Sequence, residues 1–573
     1  MRQSASGTNS ANTARILLGI ALLASIGGWL AFYFLTDDAY ITFRYVSNSL
    51  AGRGLVWNPP PFRPVEGYTS FLWAIVLRSV WSLTGIEPPE SSTVISLVFG
   101  WGTLLLGYRF VMRMRLPDAL LRDRLLLLAV LLVGVLSNRT FLAWLSSGLE
   151  TAMFNFLLIW FSYEALAPAE SRASAGWIVR LSFAAGLAAL TRPDGMLVVA
   201  CAVAILLPDA FERGSARRLL AALPLSLLPV HVLWRRWTYG EWLPNTYYAK
   251  HVGAWPESGV RYLASFVLEY GIWMWLAICG VWLVVRLRTL PRSLLPLLWS
   301  ARNAVLVVGM LVAHWAYYTF LIGGDHFEYR VYSHLIPLLW VAAIWMLTRI
   351  NTDRRVIHGA LGAFLLASLP IPWIHWAETR QLESRGTTYR MATPISHRFV
   401  PPADRVVAAW DRWQHWLIDH SVCMRHQEHK VFHQRRVSIF PPREEGARIS
   451  WESRAVFFEP SVGVLGWILP NVAIIDTAGL NDHIVARLPP PPHRPKGRQM
   501  AHDREAPWAY IECFLPNVTI RLRERRVIVD PRELTDERIR ECEARDWLEA
   551  AHQEFGSERD GVSSSSSNIP AMR

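Results

Sequence analysis

Two adjacent carboxylates, Asp37 and Asp38, stand where a long apolar run, 16–35, comes to an end. An acid at the edge of hydrocarbon is partly desolvated, which raises its pKa and makes it a stronger base. Such a base can take the proton of a hydroxyl as that hydroxyl attacks a lipid-borne substrate. The plainer account is a helix cap. Thr36 or Asp37 can N-cap a helix that starts at Asp38, and acids there are favoured by the helix dipole. One acid suffices for a cap, however, and a second beside it adds repulsion. The pair therefore carries both readings, with the base unassigned between Asp37 and Asp38.

The other residue types such a reaction needs lie in short polar stretches further on. A phosphate leaving group needs cations, and Arg44, Arg192, Lys250, His326 and Arg330 are available. Arginine suits phosphate through its planar fork. Sugar rings need aromatic faces and hydrogen-bonding acids, for which Trp57, Tyr68, Tyr247, Tyr248, Glu66 and Glu150 are candidates. Each of these alone reads equally well as an interfacial anchor or a loop charge. What they share is a side of the membrane.

That side follows from the elements that must hold them. The chain has 573 residues, 52% of them hydrophobic and only 18% charged, too apolar a balance for a soluble protein of this length. Apolar runs near 93–112, 123–137, 151–166, 177–190, 195–208, 218–234, 271–286, 303–322, 335–348 and 356–374 join the first run to give about eleven membrane spans. Many of the 28 tryptophans flank these runs, as interfacial aromatics do. With a cytoplasmic N-terminus, the connectors "RFVMRMRLPDALLRDR", "FERGSARR", "VRLRTLPR" and "TRINTDRR" fall inside, as the positive-inside rule requires. The stretches "TDDAYITFRY", "PVEGYTSFLW", "SSGLET", "TRPDG", "LPNTYYAK" and "GGDHFEYR" then fall outside, with everything after Trp376. The net charge of +12 is accounted for by the connectors, so no nucleic-acid partner is inferred.

In the first outer loop, Ala39, Phe43, Val46 and Leu50 make one apolar helical face, and Gly52 and Gly54 end the helix. This predicts a short helix lying on the membrane surface. The apolar segment 68–83, with Arg78 inside it, reads as a second interfacial helix. The polar tail predicts an α+β domain over 377–555, with strands at "VTIRL" and "RVIVD" and a helix at 535–553. Cys423, Cys513 and Cys542 allow one disulfide there. Residues 556–573 are expected to be disordered.

The segment "DDAYITFRYVSNSLAGRGLVWNP", followed by "VEGYTSFLW", resembles the first outer loop of a family of bacterial GT-C glycosyltransferases, which use polyprenyl-phosphate sugars. The likeness extends in order through "SSGLET", "LTRPDG", "LPNTYYAK" and "GGDHFEYRVYSHLIPLL" to "GVLGWILPNVAIIDTAGLNDHIVAR" in the tail. Mycobacterial terminal arabinofuranosyltransferases are among the relatives. The resemblance implies a GT-C transmembrane domain over 1–376, with juxtamembrane helices in its first outer loop, in a bacterial inner membrane. It implies a periplasmic or extracellular tail that helps bind acceptor. Its acidic pair corresponds to Asp37 and Asp38, its Arg-Pro-Asp-Gly to Arg192, Pro193, Asp194 and Gly195, and its Pro-Asn-Thr to Pro244, Asn245 and Thr246. Its Gly-Gly-Asp is Gly323, Gly324 and Asp325. His326 departs from the expected pattern, and so does the Pro-heavy loop "NPPPFRPVEGY".

The implied reaction moves a sugar, such as arabinofuranose, from a polyprenyl phosphate to a glycan, lipid-linked or protein acceptor of the cell envelope. Arg192, Lys250 and Arg330 would hold the phosphate. Asp38, Glu150 and Asp325 could contribute to a divalent-cation site, although no ligand spacing demands one. Two other classes are weighed against it. A transporter or flippase of a lipid-linked sugar should carry ionisable groups within its spans, and few are found there. A non-catalytic envelope scaffold would have no need of the acids.

Overall fold

The computed structural model describes residues 2–213, 216–288, 295–350, 353–388, 392–492, 497–532 and 534–557. Every apolar run read in the sequence is helical. The helices include Pro88–Arg113, Arg124–Leu136, Thr151–Ala165, Ala175–Thr191, Met196–Arg213, Leu227–Tyr239, Ile272–Arg288, Arg302–Ala316, Leu335–Ile350 and Arg354–Ala367. Among the described residues, five stretches are long and apolar enough to cross a bilayer: Ala11–Ala31, Pro88–Arg113, Arg302–Ile322, Arg330–Ile350 and Arg354–Thr379. Pro256–Glu269 and Ile272–Arg288, bent by 89° at their junction, would make a sixth. The chain is thus a multi-pass helical membrane protein. Among the described residues, five or six of the eleven expected spans reach full length. Arg124–Leu136 and Leu227–Tyr239 hold 13 residues each, which reach about 20 Å of a hydrocarbon layer ~30 Å thick.

The helix Thr151–Ala165 shows how the loops are sorted. Its 15 residues place its two ends about 22 Å apart. At the far end, Arg113 donates to the Tyr163 carbonyl at 3.2 Å and Arg180 meets Glu164 at 2.9 Å. Arg354 pairs with Asp123 beside them, joining two of the Arg-rich connectors. At the near end, Glu150 receives Arg192. Two of the Arg-rich connectors therefore lie at the opposite end of this helix from the stretches that hold Glu150 and Arg192.

The helix of the first outer loop runs Asp37–Leu50, and its N-cap is Thr36, whose hydroxyl accepts from the Ala39 amide at 3.2 Å. Ala39, Phe43 and Val46 are buried as the periodicity predicts. The opposite face is buried as well, including Arg44, Tyr45 and Asn48. The helix is therefore not laid on an open membrane surface, because the tail covers it. The tail helix Val462–Ile468 packs on it so closely that a Cβ on Gly463 would fall 1.9 Å from the Asp37 carbonyl oxygen. Gly463→Ala must push these elements apart and should cost about 1–3 kcal/mol, read as a lower unfolding temperature of the full chain in lipid nanodiscs.

In the tail, strands Val456–Glu459 and Ala473–Asp476 pair in parallel with Val462–Ile468 between them. The sequence reading missed this unit. The two foreseen strands form an antiparallel hairpin, Val518–Arg521 with Arg526–Val529. The helix foreseen at 535–553 is broken into Asp536–Ala544 and Leu548–Ser557, with Arg545 extended after the first. Cys513 and Cys542 are bonded across 5.9 Å between α-carbons, and Cys423 is a buried free thiol. Of the segment expected to be disordered, residues from 558 onward lie outside the described residues.

Candidate active site

The two aspartates have different surroundings. Asp37 is buried and turned toward the tail, where its carboxylate accepts from the Gly463 amide at 3.1 Å and the Val464 amide at 2.9 Å. It caps the start of Val462–Ile468, with Arg436 3.6 Å away. Burial pushes its pKa up to about 6 against the opposing pull of Arg436 and the two amides. Asp38 is only half-buried, and no hydrogen bond or ion pair engages its carboxylate among the described residues. Its charge acts instead on Lys250 and His326.

Lys250 ends the short helix Asn245–Lys250. Solvent reaches its side chain, yet desolvation is the largest influence on its ammonium and lowers its pKa. Its ammonium is thus crowded by protein atoms while part of the residue meets solvent. The charges acting on it are those of Asp38, Arg330, Asp325 and Arg192. No protein group bonds its nitrogen among the described residues.

The remaining charges of this cluster are paired. Arg192 follows the helix Ala175–Thr191 and is held on three sides: to Glu150 at 2.9 Å, to Asp194 at 3.1 Å and to the Tyr318 hydroxyl at 2.9 Å. Tyr318 in turn donates to Asp194 at 3.1 Å, and His314 lies 3.6 Å from the same carboxylate. Arg330 grips Asp325 through two bonds of 2.8 and 3.2 Å and stacks on Phe327. Glu150 and Asp325 are thus taken up by arginines, and among the described residues no three His, Cys, Asp or Glu side chains are grouped to hold a metal ion.

The loop that carries Asp325, His326 and Arg330 is pinned from two directions. Gly324 has φ +102° and sits where a Cβ would come within 2.8 Å of the Tyr262 ring, so the turn requires glycine. From the tail, the amides of Cys423 and Met424 donate to the Asp325 and His326 carbonyls at 2.9 and 2.8 Å, and the Met424 carbonyl accepts from the Glu328 amide at 3.1 Å. The tail therefore forms a wall of the site. Behind this loop lies a fully buried quartet that the sequence reading did not single out. Arg425 bonds Glu269 at 2.9 and 3.1 Å and meets Glu328 at 3.5 Å, while Arg139 pairs with Glu328 and, at 3.3 Å, with Glu269.

Other expected site residues are structural. Arg44 spends its guanidinium on the carbonyls of Trp57, Gly466, Leu469 and Val472 and on Asn58, at 2.8–3.2 Å, which leaves no fork for a phosphate. Trp57 is buried and donates to the Ile474 carbonyl at 2.9 Å, so its face is not open to a sugar. Glu66 is buried against Arg235, its pKa raised by burial to about 7. Tyr68 is buried against Tyr239. Asn245 donates to the Gly479, Leu480 and Asp482 carbonyls at 2.9–3.0 Å, fixing the Lys250 helix to the tail. Tyr248 lies under Arg487, ring to guanidinium 4.0 Å. The structure thus gathers Asp38, Glu150, Arg192, Asp194, Lys250, Asp325, His326 and Arg330, and places Arg44, Trp57, Glu66, Tyr68, Asn245 and Tyr248 in the scaffold.

No family model matches the chain. It is 28% identical over 387 residues to the terminal β-(1→2)-arabinofuranosyltransferase of Mycobacterium tuberculosis, covering 62% of this chain and 60% of that protein. It is 26% identical over 373 residues to the enzyme of the same name from Corynebacterium glutamicum, covering 59% of this chain and 52% of that one. The chain thus spans between half and two thirds of the length of these relatives. ArnT from Cupriavidus metallidurans, in its crystal structure bound to undecaprenyl phosphate, superposes with a TM-score of 0.46 at 12% identity, over 80% of this chain and 85% of that one. A superposition that loose leaves the architecture to be argued from the chain's own helices. The likeness read in the sequence motifs is the one these comparisons find: the chain is similar to the terminal arabinofuranosyltransferases.

Proposed function

We propose that the protein is a membrane glycosyltransferase that moves a sugar, arabinofuranose in the first instance, from a polyprenyl phosphate to a cell-envelope acceptor. Asp38 takes the proton of the acceptor hydroxyl as its oxygen bonds to the anomeric carbon. The bond from that carbon to the phosphate oxygen breaks, and the polyprenyl phosphate leaves with its charge held by Lys250. Arg192 and Arg330, locked by their acids, shape the site and add positive potential. The observation that supports this reading is a pair of unengaged charges that act on one another, Asp38 and Lys250. Asp38 has the character of a base awaiting a proton and Lys250 that of a cation awaiting an anion, while their neighbours are already paired.

The same reading counts the apolar helices as about eleven spans with the N-terminus in the cytoplasm, the site and tail outside, and an outer tail beginning near residue 377. The bonded Cys513 and Cys542 suit a tail in an oxidising compartment. A flippase is disfavoured because the charges gather in one cluster. The test is transfer from synthetic polyprenyl-phosphate arabinofuranose to arabinofuranosyl disaccharides by the full chain in nanodiscs. No transfer to any such acceptor, with the donor left intact, overturns the reading. Within it, Lys250→Met should raise the donor KM by roughly 10–100-fold, the worth of one charged hydrogen bond, with the acceptor KM little changed.

A further inference from the structure

His326 is a third side chain of this cluster with bonding capacity to spare. Its Nδ1 lies 2.7 Å from the Ser421 carbonyl, which can only accept, so Nδ1 carries the hydrogen. Burial keeps the ring neutral by pushing its pKa down to about 4. Nε2 is then a bare lone pair, and no protein group bonds it among the described residues. The ring cannot easily turn, since its own backbone carbonyl is held by the Met424 amide and its faces meet Phe327 and His429, with centroids 5.2 and 5.3 Å away.

The charges that act on it most are those of His502, Asp38 and Asp325, and Asp38 and Asp325 act on Lys250 as well. His502, 5.1 Å away between ring centroids, is exposed to solvent. His326 thus adjoins both the Asp38 charge and a solvent-exposed histidine, surroundings that suit a hydrophilic acceptor.

We infer that His326 Nε2 accepts a hydrogen bond from a hydroxyl of the acceptor sugar other than the reacting one, and so determines which acceptors are used. This rests on the glycosyl-transfer reading. The substrate implied is an acceptor with a second free hydroxyl near the nucleophile. A site built to bond a hydroxyl rejects the analogue that lacks it, because a buried polar group is left unpaired.

The test uses the full chain in nanodiscs with synthetic polyprenyl-phosphate arabinofuranose, an arabinofuranosyl disaccharide and its monodeoxy analogues. His326→Phe should raise the acceptor KM about tenfold while the donor KM stays within about twofold. It should also erase the wild-type discrimination against one particular deoxy analogue. His326→Gln, whose amide oxygen can accept the same bond, should restore most of both. The inference is overturned if His326→Phe keeps the wild-type acceptor KM and deoxy discrimination, or shifts the donor KM as far as the acceptor's. Wild-type protein that transfers to none of these acceptors removes the underlying reading and this inference together. Wild-type transfer with unaltered acceptor kinetics in His326→Phe removes the inference alone.

Discussion

Asp38→Asn lowers the transfer rate by about 10²–10⁴-fold, the usual worth of a positioned general base, and leaves the fold intact. The amide keeps the volume and polarity of the side chain but cannot take a proton. Because no protein group depends on the Asp38 carboxylate among the described residues, the variant should unfold at the wild-type temperature. Asp37→Asn should behave in the opposite way. Two amides at the start of Val462–Ile468 are satisfied by the Asp37 carboxylate, and an asparagine offers one oxygen and a misplaced donor. That variant should unfold more readily, yet its folded fraction should transfer at close to the wild-type rate. Transfer kinetics and thermal unfolding of both variants in the same nanodiscs separate the two roles.

Arg425→Met should destabilise the protein by about 3–5 kcal/mol, as removal of one partner from a buried ion pair does. Arg425, Arg139, Glu269 and Glu328 are all essentially excluded from solvent. With Arg425 gone, two carboxylates share one guanidinium in a medium that cannot solvate the excess charge. The effect should reach the site, since Arg425 adjoins Met424, whose backbone holds the His326 and Glu328 stretch of the loop. Adding Glu269→Gln to Arg425→Met restores charge balance and should recover part of the loss. If the single variant unfolds at the wild-type temperature, the quartet is not what ties the tail to the membrane helices.

Much of the site was legible because its chemistry is carried by short polar stretches that interrupt apolar runs. Charge sorting alone put "DDAY", "TRPDG", "LPNTYYAK" and "GGDHFEYR" on one side, and the structure brings them into one cluster. Sequence could not separate the residues that face the site from those that turn into the scaffold. Arg44 reads as a free cation until the carbonyls of 466–472 are seen around it, more than 400 positions away. Asn245 is likewise claimed by carbonyls of 479–482. Backbone carbonyls have no signature in sequence, so partners of this kind are invisible to motif reading. The proposed choice of Asp38 over Asp37 rests on the same kind of contact, the amides of Gly463 and Val464. The buried quartet left a fainter signal. Arg139 and Glu269 border apolar runs, where an ionisable group usually has a purpose, but their pairing depends on Glu328 and Arg425, which look like ordinary loop charges.

The lengths of individual helices were illegible for a related reason. Hydropathy marks where apolar residues lie but not how long the helix built from them is, and Arg124–Leu136 and Leu227–Tyr239 hold 13 residues each. The parallel strands of the tail are four residues each, too short for a period to register.

The measurement that bears most directly on the central claim is a single-turnover assay with donor already bound, run side by side on Asp37→Asn and Asp38→Asn. The account predicts that both variants bind polyprenyl-phosphate arabinofuranose as the wild type does, and that only Asp38→Asn fails to pass the sugar to an added acceptor. Transfer at the wild-type rate by Asp38→Asn, or its loss in well-folded Asp37→Asn alone, would contradict it.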